Sequence, residues 1–275
     1  DLPEHLCFDE FKSVKSSDSN MSFIICDSTT HKLVDVVRDR KSYSLKKYFH
    51  RFEPKTRLKV KTISIDMYLP YIQLIKEMFP NAKIIIDPFH IVQALNRELN
   101  RTRVRVMNQH RYKNPKLYRK LKHYWKLILK NPNELQNYKY NRYKLFESFI
   151  TSKGIVDYIL EKNPSLKNDY EVVHSLRECI QDRDYIEFKE TIEVATQLDL
   201  SPGLKRVLKT LMTYLPYIQN TCEYPTRTNG PIEGINNKIK VLKRNAYGFR
   251  NYYHFRNRII LITKMFGPKQ KGIKQ

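Results

Sequence analysis

Short apolar runs of strand character open the chain. HLCFDEF, SFIICDS and HKLVDVV are rich in β-favouring residues, with the turn material KSSDSN between the first two, and they predict an antiparallel three-stranded meander. SLKKYFHRF then places Leu45, Tyr48, Phe49 and Phe52 at i, i+3, i+4 and i+7 behind Ser44, a residue suited to cap a helix start. LKVKTISID reads as a fourth strand ending in an acid. YLPYIQLIKEMF reads as a helix that tolerates Pro70 in its first turn. NAKIIID is a fifth strand, whose three consecutive isoleucines suggest burial on both faces. The predicted order is β-β-β-α-β-α-β.

From His90 to about Tyr214 the strand signals vanish, and the segments read as helices separated by the breakers NPNE, NPS and SPG. Tyr170, Val173, Leu176 and Ile180 keep helical spacing, as a bundle requires. Charge changes the reading of this stretch: residues 101–150 hold fourteen Lys and Arg but only two acids, Glu134 and Glu147. A basic run on one helix is ordinarily a solvated face. Here Arg97, Arg101 and Arg105 share one helical stripe, and the bias extends over several segments with Tyr and Trp125 interleaved, so a phosphate-facing surface is the better expectation.

The whole chain repeats that balance, with 51 Lys and Arg against 28 Asp and Glu and a formal charge of +23 over 275 residues. Such an excess suits a polyanionic partner. With 41% hydrophobic and 12% aromatic residues the chain is expected to fold, as one large domain or a domain carrying an insertion. No run of eighteen apolar residues offers a membrane span, and DLPEHLCFDEF is not a signal peptide, so a soluble intracellular protein is expected. Cys7, Cys26, Cys179 and Cys222 are scattered without a C-x-x-C pair, which suggests buried free thiols rather than a zinc site or a disulfide framework.

The stretch TNGPIEGINNKIKVLKR raises a narrower question, because Glu233 is the only acid in residues 225–275, among twelve Lys and Arg. Asn229 or Gly230 can cap this helix, and Pro231 suits its first position. Ile232, Ile235, Ile239 and Leu242 form an apolar stripe, and Glu233, Asn237, Lys240 and Arg244 form a second on nearly the opposite side. Glu233 can be read simply as a first-turn acid facing the helix dipole, worth ~0.3–1 kcal/mol. An acid on a cationic face turned toward DNA would, however, repel phosphate unless a divalent cation lay between them. Asp9 in the first strand, Asp66 after KTISI and Asp87 after KIII are the carboxylates that could share such a cation. Three carboxylates can hold two Mg²⁺ ions roughly 3.5–4 Å apart for an in-line phosphoryl displacement.

TNGPIEGINNKIKVLKRNAYGFRNYYHFRNRI resembles the C-terminal signature of bacterial insertion-sequence transposases of the DDE superfamily, in particular the ISL-three group. IIIDPFHIVQALN resembles a second block of that group, and FDEF its first, in matching order over almost the whole chain. The resemblance implies an α/β fold: an RNase H-like catalytic core, a mixed five-stranded sheet with flanking helices, interrupted by an all-helical insertion. The core would occupy residues 1–95 and 221–266, the insertion 96–220, and a disordered basic tail 267–275. The resemblance also makes Asp9 the first catalytic Asp, Asp66 the second and Glu233 the closing Glu, all three as ligands of two Mg²⁺ ions, with Mn²⁺ as a substitute.

Two positions stay open at this stage. Glu10 adjoins Asp9, and strand alternation lets only one of them face the metals; Asp9 is favoured. Asp87 competes with Asp66, and the RNase H-like arrangement selects Asp66. Asp87 and His90 would then form the D-x-x-H motif of related transposases, with His90 either a hydrogen-bonded structural histidine or a contact to the scissile phosphate. Asp87, Glu10 and Asn237 are candidates for supporting the ligands. Lys240, Lys243, Arg244 and Arg250 are expected to hold DNA backbone, as are Arg97, Arg101 and Arg105, while Arg256 and Arg258 are weaker candidates. Tyr247, Phe249, Tyr252 and Tyr253 could stack on exposed bases, although core packing suits most of them better.

The implied chemistry is hydrolysis at a transposon end followed by attack of the freed 3′-OH on target DNA. An RNase H-like nuclease without strand transfer and a non-catalytic basic DNA-binding protein are the alternatives. The partners would be transposon ends and target DNA, with a homodimer or larger assembly formed on them, in the bacterial cytoplasm and on the nucleoid when bound. Members of the group carry an N-terminal zinc-binding and helix-turn-helix region, so recognition of terminal repeats is not expected from these 275 residues.

Overall fold

The computed structural model describes residues 1–17 and 20–265, and these fall into two compact units: residues 1–88 with 217 onward, and residues 89–216. The sequence-read boundaries at 95/96 and 220/221 fall inside two long helices, α4 (Pro88–Lys113) and α10 (Pro202–Glu223), that carry the chain from one unit to the other. The tail expected at 267–275 lies outside the described residues.

The first unit is built on β1 (His5–Lys12), β2 (Met21–Asp27), β3 (Leu33–Val37), β4 (Thr62–Ile65) and β5 (Lys83–Ile86), in the spatial order β3-β2-β1-β4-β5. The first three strands form the expected antiparallel meander, whereas β4 and β5 run parallel to β1. Two parallel crossovers supply α1 (Ser42–Phe49), the short α2 (Pro54–Arg57) and α3 (Leu69–Met78). The sheet is therefore mixed and five-stranded with flanking helices, the RNase H-like α/β arrangement.

Strand alternation gives the sheet two apolar faces. On one, Phe8 stacks on Phe49 at 5.6 Å and meets Phe23 edge-on at 5.0 Å, with Phe79 closing the cluster. On the other, Cys7, Phe11, Ile24, Cys26 and Val36 pack under α11 (Gly230–Asn245) and α12 (Tyr252–Met265) through Ile232, Ile235, Ile239, Phe255 and Ile259. The isoleucine stripe of α11 is thus the buried face that its spacing predicted.

Helix α1 departs from expectation at its start. It begins at Ser42, and the Asp39 carboxylate, not Ser44, gathers the local donors: the main-chain N–H groups of Arg40 and Lys41 and the Ser44 hydroxyl. The edge strand β5 has its outer main-chain groups satisfied by α10. Thr221 Oγ1 accepts from the Ile86 N–H at 3.1 Å and donates to the Ile86 carbonyl at 2.8 Å, and Asn220 Nδ2 donates to the Ile84 carbonyl at 2.8 Å. That cover blunts the edge against pairing with a second chain.

The second unit is helical: most of α4, then α5 (Pro115–His123), α6 (Trp125–Leu129), α7 (Ser152–Glu161), α8 (Pro164–Asp182), α9 (Tyr185–Ala195) and the first part of α10. Proline opens α8 and α10 at the predicted breakers. The fully buried Asp169 accepts from the Thr102 hydroxyl at 2.7 Å and from the Ser201 N–H at 2.9 Å, tying α4, α8 and the start of α10 together. One expected helix is missing. Residues 135–150 form an irregular segment with a single Asn141–Ile150 bridge and a left-handed Leu145, held by Lys120 against the Phe146 ring. In LQNYKYNRYKLFESFI the one i, i+3, i+4 set, Phe146, Phe149 and Ile150, falls at the very end, so no apolar stripe runs through the segment to bury as a helix.

Candidate active site

Register decides which acids of the core meet. Cys7 of β1 pairs with Ser64 of β4, and Ile65 of β4 pairs with Ile86 of β5. Continuing the first register by two residues and the second by one sets Asp9, Asp66 and Asp87 in a single row across three neighbouring parallel strands, just past the carboxyl ends of β4 and β5 and within β1. Adjacent strands lie ~4.8 Å apart, so the row is compact. The Asp87 N–H donates to the Ile65 carbonyl at 2.9 Å, extending the ladder to the row itself. Carboxyl ends of parallel strands are where open α/β sheets place their ligands.

Strand alternation also separates the neighbours Asp9 and Glu10. Glu10 points to the α1/α3 face, where its carboxylate takes two hydrogen bonds from Arg40 Nη1 at 2.5 and 2.7 Å and a third from the Tyr71 hydroxyl at 2.9 Å. Burial, reinforced by the Glu10 charge, drives the Tyr71 hydroxyl far above its ordinary range, so it remains a donor. Asp9 points to the opposite face, toward α11.

Two asparagines join α11 to the acid row. Asn236 Nδ2 donates to Asp9 Oδ2 at 2.7 Å, and Asn229 Nδ2 donates to Asp66 Oδ1 at 3.2 Å and to the Phe8 carbonyl at 3.3 Å. Both residues are at least nine-tenths buried, and each leaves its amide oxygen buried with no partner among the described residues. Asn229 occupies the N-cap position but makes no side-chain cap, its amide being spent on the sheet. Glu233 lies on the same helix four residues after Asn229 and three before Asn236, hence on the same side, and it is exposed.

Asp66 has a second set of neighbours. Asp66, the buried Asp87 and His90, one helical turn later in the first turn of α4, each offer a ligand atom within 4.8 Å of the others; Asp9 and Glu233 stand outside that group. Cys7 Sγ donates to the Thr228 carbonyl at 3.3 Å, and burial pushes its thiol up to about 11, so no thiolate competes beside the carboxylates.

The basic candidates divide. Lys240, Arg244 and Arg250 are exposed. Lys243 instead turns back to donate to the carbonyls of Lys12 and Ser13 at 2.9 and 3.0 Å, where burial lowers its pKa. Arg256 is committed to the Asp35 carboxylate and the Val36 carbonyl. In the helical unit Arg101 and Arg105 line a cavity of about 370 Å³ with Arg206, Ser201 and Gly203, where Arg101 pairs with the buried Glu98. Arg97 is exposed on the same helix.

Sequence reasoning assigned Asn229 to capping and named Asn237, which is exposed, in place of Asn236. The available signal was the seven-residue spacing of Asn229 and Asn236, which returns to one helix face and brackets Glu233. Among the described residues no helix is long and apolar enough to cross a membrane.

A transposase from insertion sequence element IS1001 of Bordetella parapertussis is 28% identical over 257 residues, covering 92% of this chain and 59% of that protein. A Lactococcus lactis protein named ATP-dependent protease is 36% identical over 130 residues, 47% of this chain and 40% of its own. No nucleotide-binding loop of the form Gly-x-x-x-x-Gly-Lys-Ser/Thr occurs in this sequence. The chain spans 59% and 40% of the length of these two relatives, less than two thirds of each. No solved structure gives a significant match. The ISL3 (ISL-three) family of DDE proteins, described as transposase, matches residues 6–259, and with almost the full chain inside that match this protein belongs to the ISL3 group of DDE transposases.

Proposed function

We propose that this chain is the catalytic part of a DNA transposase, which hydrolyses a phosphodiester bond at a transposon end and transfers the resulting 3′-hydroxyl to target DNA. The observation that carries the reading is the row of Asp9, Asp66 and Asp87 on β1, β4 and β5, with α11 tied to two of the three and Glu233 between the ties. Hard oxygen donors in this number suit Mg²⁺, or Mn²⁺ in its place, and the partnerless buried amide oxygens of Asn229 and Asn236 fit a site that carries a cation. Asp9, Asp66 and Glu233 would hold two such ions, with Asp87 and His90 beside Asp66. Bound there, the ions supply Lewis-acid stabilisation of the attacking and leaving oxygens.

The chain's own residues fix the geometry. Asn236 holds the Asp9 carboxylate and Asn229 that of Asp66, so neither acid is left to swing as substrate enters. Lys240 and Arg244 bind backbone phosphates in a manner that is salt-dependent and indifferent to sequence. Both DNA ends would be processed together in a dimer or larger assembly.

Glu233→Gln tests the assignment: DNA binding is retained while Mg²⁺-dependent cleavage is lost, and unchanged cleavage would refute it. A joining assay with a pre-cleaved 3′-OH end separates a transposase from a nuclease that only cuts. A divalent-ion titration without any response would favour a non-catalytic DNA-binding protein.

A further inference from the structure

Helix α11 ends on a turn that the core does not explain. Tyr247 has φ +49° and Gly248 φ +99°, two left-handed residues in succession. The Tyr247 N–H donates to the Arg244 carbonyl at 3.1 Å and the Gly248 N–H to the Lys243 carbonyl at 2.9 Å, which stops the helix. Glycine adopts such angles freely, whereas for a bulky side chain they are costly and rare. Nothing among the described residues compensates Tyr247. Its side chain is 101% exposed, and its ring and hydroxyl have no partner among the described residues. Of the other aromatics of this segment, Tyr252 is buried and Phe249 packs on Phe255 at 4.9 Å, while Tyr253 is exposed but sits within α12 with its ring against Tyr252 at 5.5 Å.

The surroundings point to a nucleic-acid partner. Arg244 and Arg250 stand three residues before and after Tyr247 in sequence and are exposed, and no acid follows Glu233 to the end of the sequence. Glu233, Asn237, Lys240 and Arg244 make an exposed stripe along α11 that ends at this turn. At ~1.5 Å per residue, Tyr247 lies about 20 Å beyond Glu233. With base pairs ~3.4 Å apart, a duplex following the stripe would bring a base about six pairs from the Glu233 phosphate to the ring.

We propose that Tyr247 is a stacking platform for an unpaired base of bound DNA, while Arg244 and Arg250 hold the flanking phosphates. The exposed π face of an unstacked base is the ligand chemistry. The inference rests on the proposed DNA function for its ligand and its distance, but not on cleavage.

The test uses the full chain in Ca²⁺, with a fully paired duplex and the same duplex carrying a short internal bulge that contains 2-aminopurine. Wild type is expected to bind the bulged duplex more tightly and to quench the 2-aminopurine. Tyr247→Ala should lose roughly fivefold or more in affinity for the bulge, with paired-duplex affinity within about twofold. Tyr247→Trp should keep the preference. Tyr247→Gly should lose it while melting higher, since glycine relieves the turn. Tyr43→Ala, at a largely exposed tyrosine of α1 that belongs to no site, should behave as wild type, so the loss is specific to Tyr247 and does not depend on the metal-ligand assignment. Equal binding of both duplexes by wild type, or an equal loss on both in Tyr247→Ala, overturns the proposal. So does weakened self-association with unchanged fluorescence, which would make the ring a contact between copies of the chain. Failure of wild type to bind either duplex would sink the DNA function itself.

Discussion

Asp9 and Glu10 are adjacent in sequence yet face opposite sides of one sheet, and their substitutions should fail in opposite ways. Glu10→Ala removes the acceptor for Arg40 and Tyr71. The Arg40–Glu10 pair is about a third exposed, so it counts near the surface value of ~1 kcal/mol. The Tyr71 hydroxyl belongs to a residue only 3% exposed, and losing its charged acceptor costs a further ~1.5–3 kcal/mol. Together these amount to roughly 2–4 kcal/mol, or a melting temperature lower by on the order of 5–10 °C for a chain of this size. Asp9→Asn, by contrast, keeps an oxygen to accept from Asn236 and should cost under about 1 kcal/mol. Its effect should fall on Mg²⁺-dependent cleavage, with a loss on the order of 100-fold or more. Thermal unfolding followed by circular dichroism, paired with a nicking assay well below the melting point, reads both quantities. Normal cleavage by Asp9→Asn, or lost cleavage in a fully stable Glu10→Ala, would overturn the assignment of the two faces.

Lys243 and Arg244 offer a similar contrast: Arg244→Gln should weaken DNA binding at every sequence and reduce the slope of log affinity against log salt by about 1, whereas Lys243→Gln should mainly lower the melting temperature, having lost two main-chain acceptors. In the helical unit, burial holds His174 down to about 4, with Nε2–H donating to the Ile128 carbonyl at 3.0 Å and Nδ1 accepting from Arg177. Its folded pKa lies below the unfolded value near 6.5, so the unfolded chain takes up the proton first as pH falls. The contribution is present above pH 6.5 and is lost toward pH 4, by up to ~3 kcal/mol. His174→Gln should flatten that part of a melting-temperature profile against pH, and an unaltered acid limb would count against the reading.

Most of the fold could be read because its signals are periodic. Ile232, Ile235 and Ile239 repeat at helical spacing and are buried together; the apolar runs before Asp66 and Asp87 are short and continuous and became strands of the parallel part of the sheet. What escaped depends on pairs that no local pattern encodes. Thr221 and Asn220 sit in a helix and read as ordinary polar positions, yet they complete the edge of β5, more than 130 residues earlier. Lys243 reads as one more cation of a basic helix. One residue further round the helix than Leu242, it lies at the rim of the buried stripe, where carbonyls at the end of β1 are within reach of its ammonium. The missing helix at 135–150 was assumed from the absence of strand signals, which is not itself a helix signal.

The acid row exposes the limit most clearly, since Asp9, Asp66 and Asp87 can be listed from sequence but their alignment depends on inter-strand register. A slip of one residue in β1 would carry Asp9 to the face of Phe8 and Glu10 to the face of α11. Two independent constraints oppose that slip. Phe8 fits among Phe23, Phe49 and Phe79 on one face, and Cys7 and Phe11 fit under the isoleucines of α11 on the other. The same packing sets the rotation of α11, and the amides of Asn229 and Asn236, seven residues and about 10 Å apart along the axis, set its translation. With rotation and translation both fixed, Glu233 has no freedom except its own side-chain torsions. Apolar packing that carries no chemistry therefore determines where the one acid of a basic helix can reach.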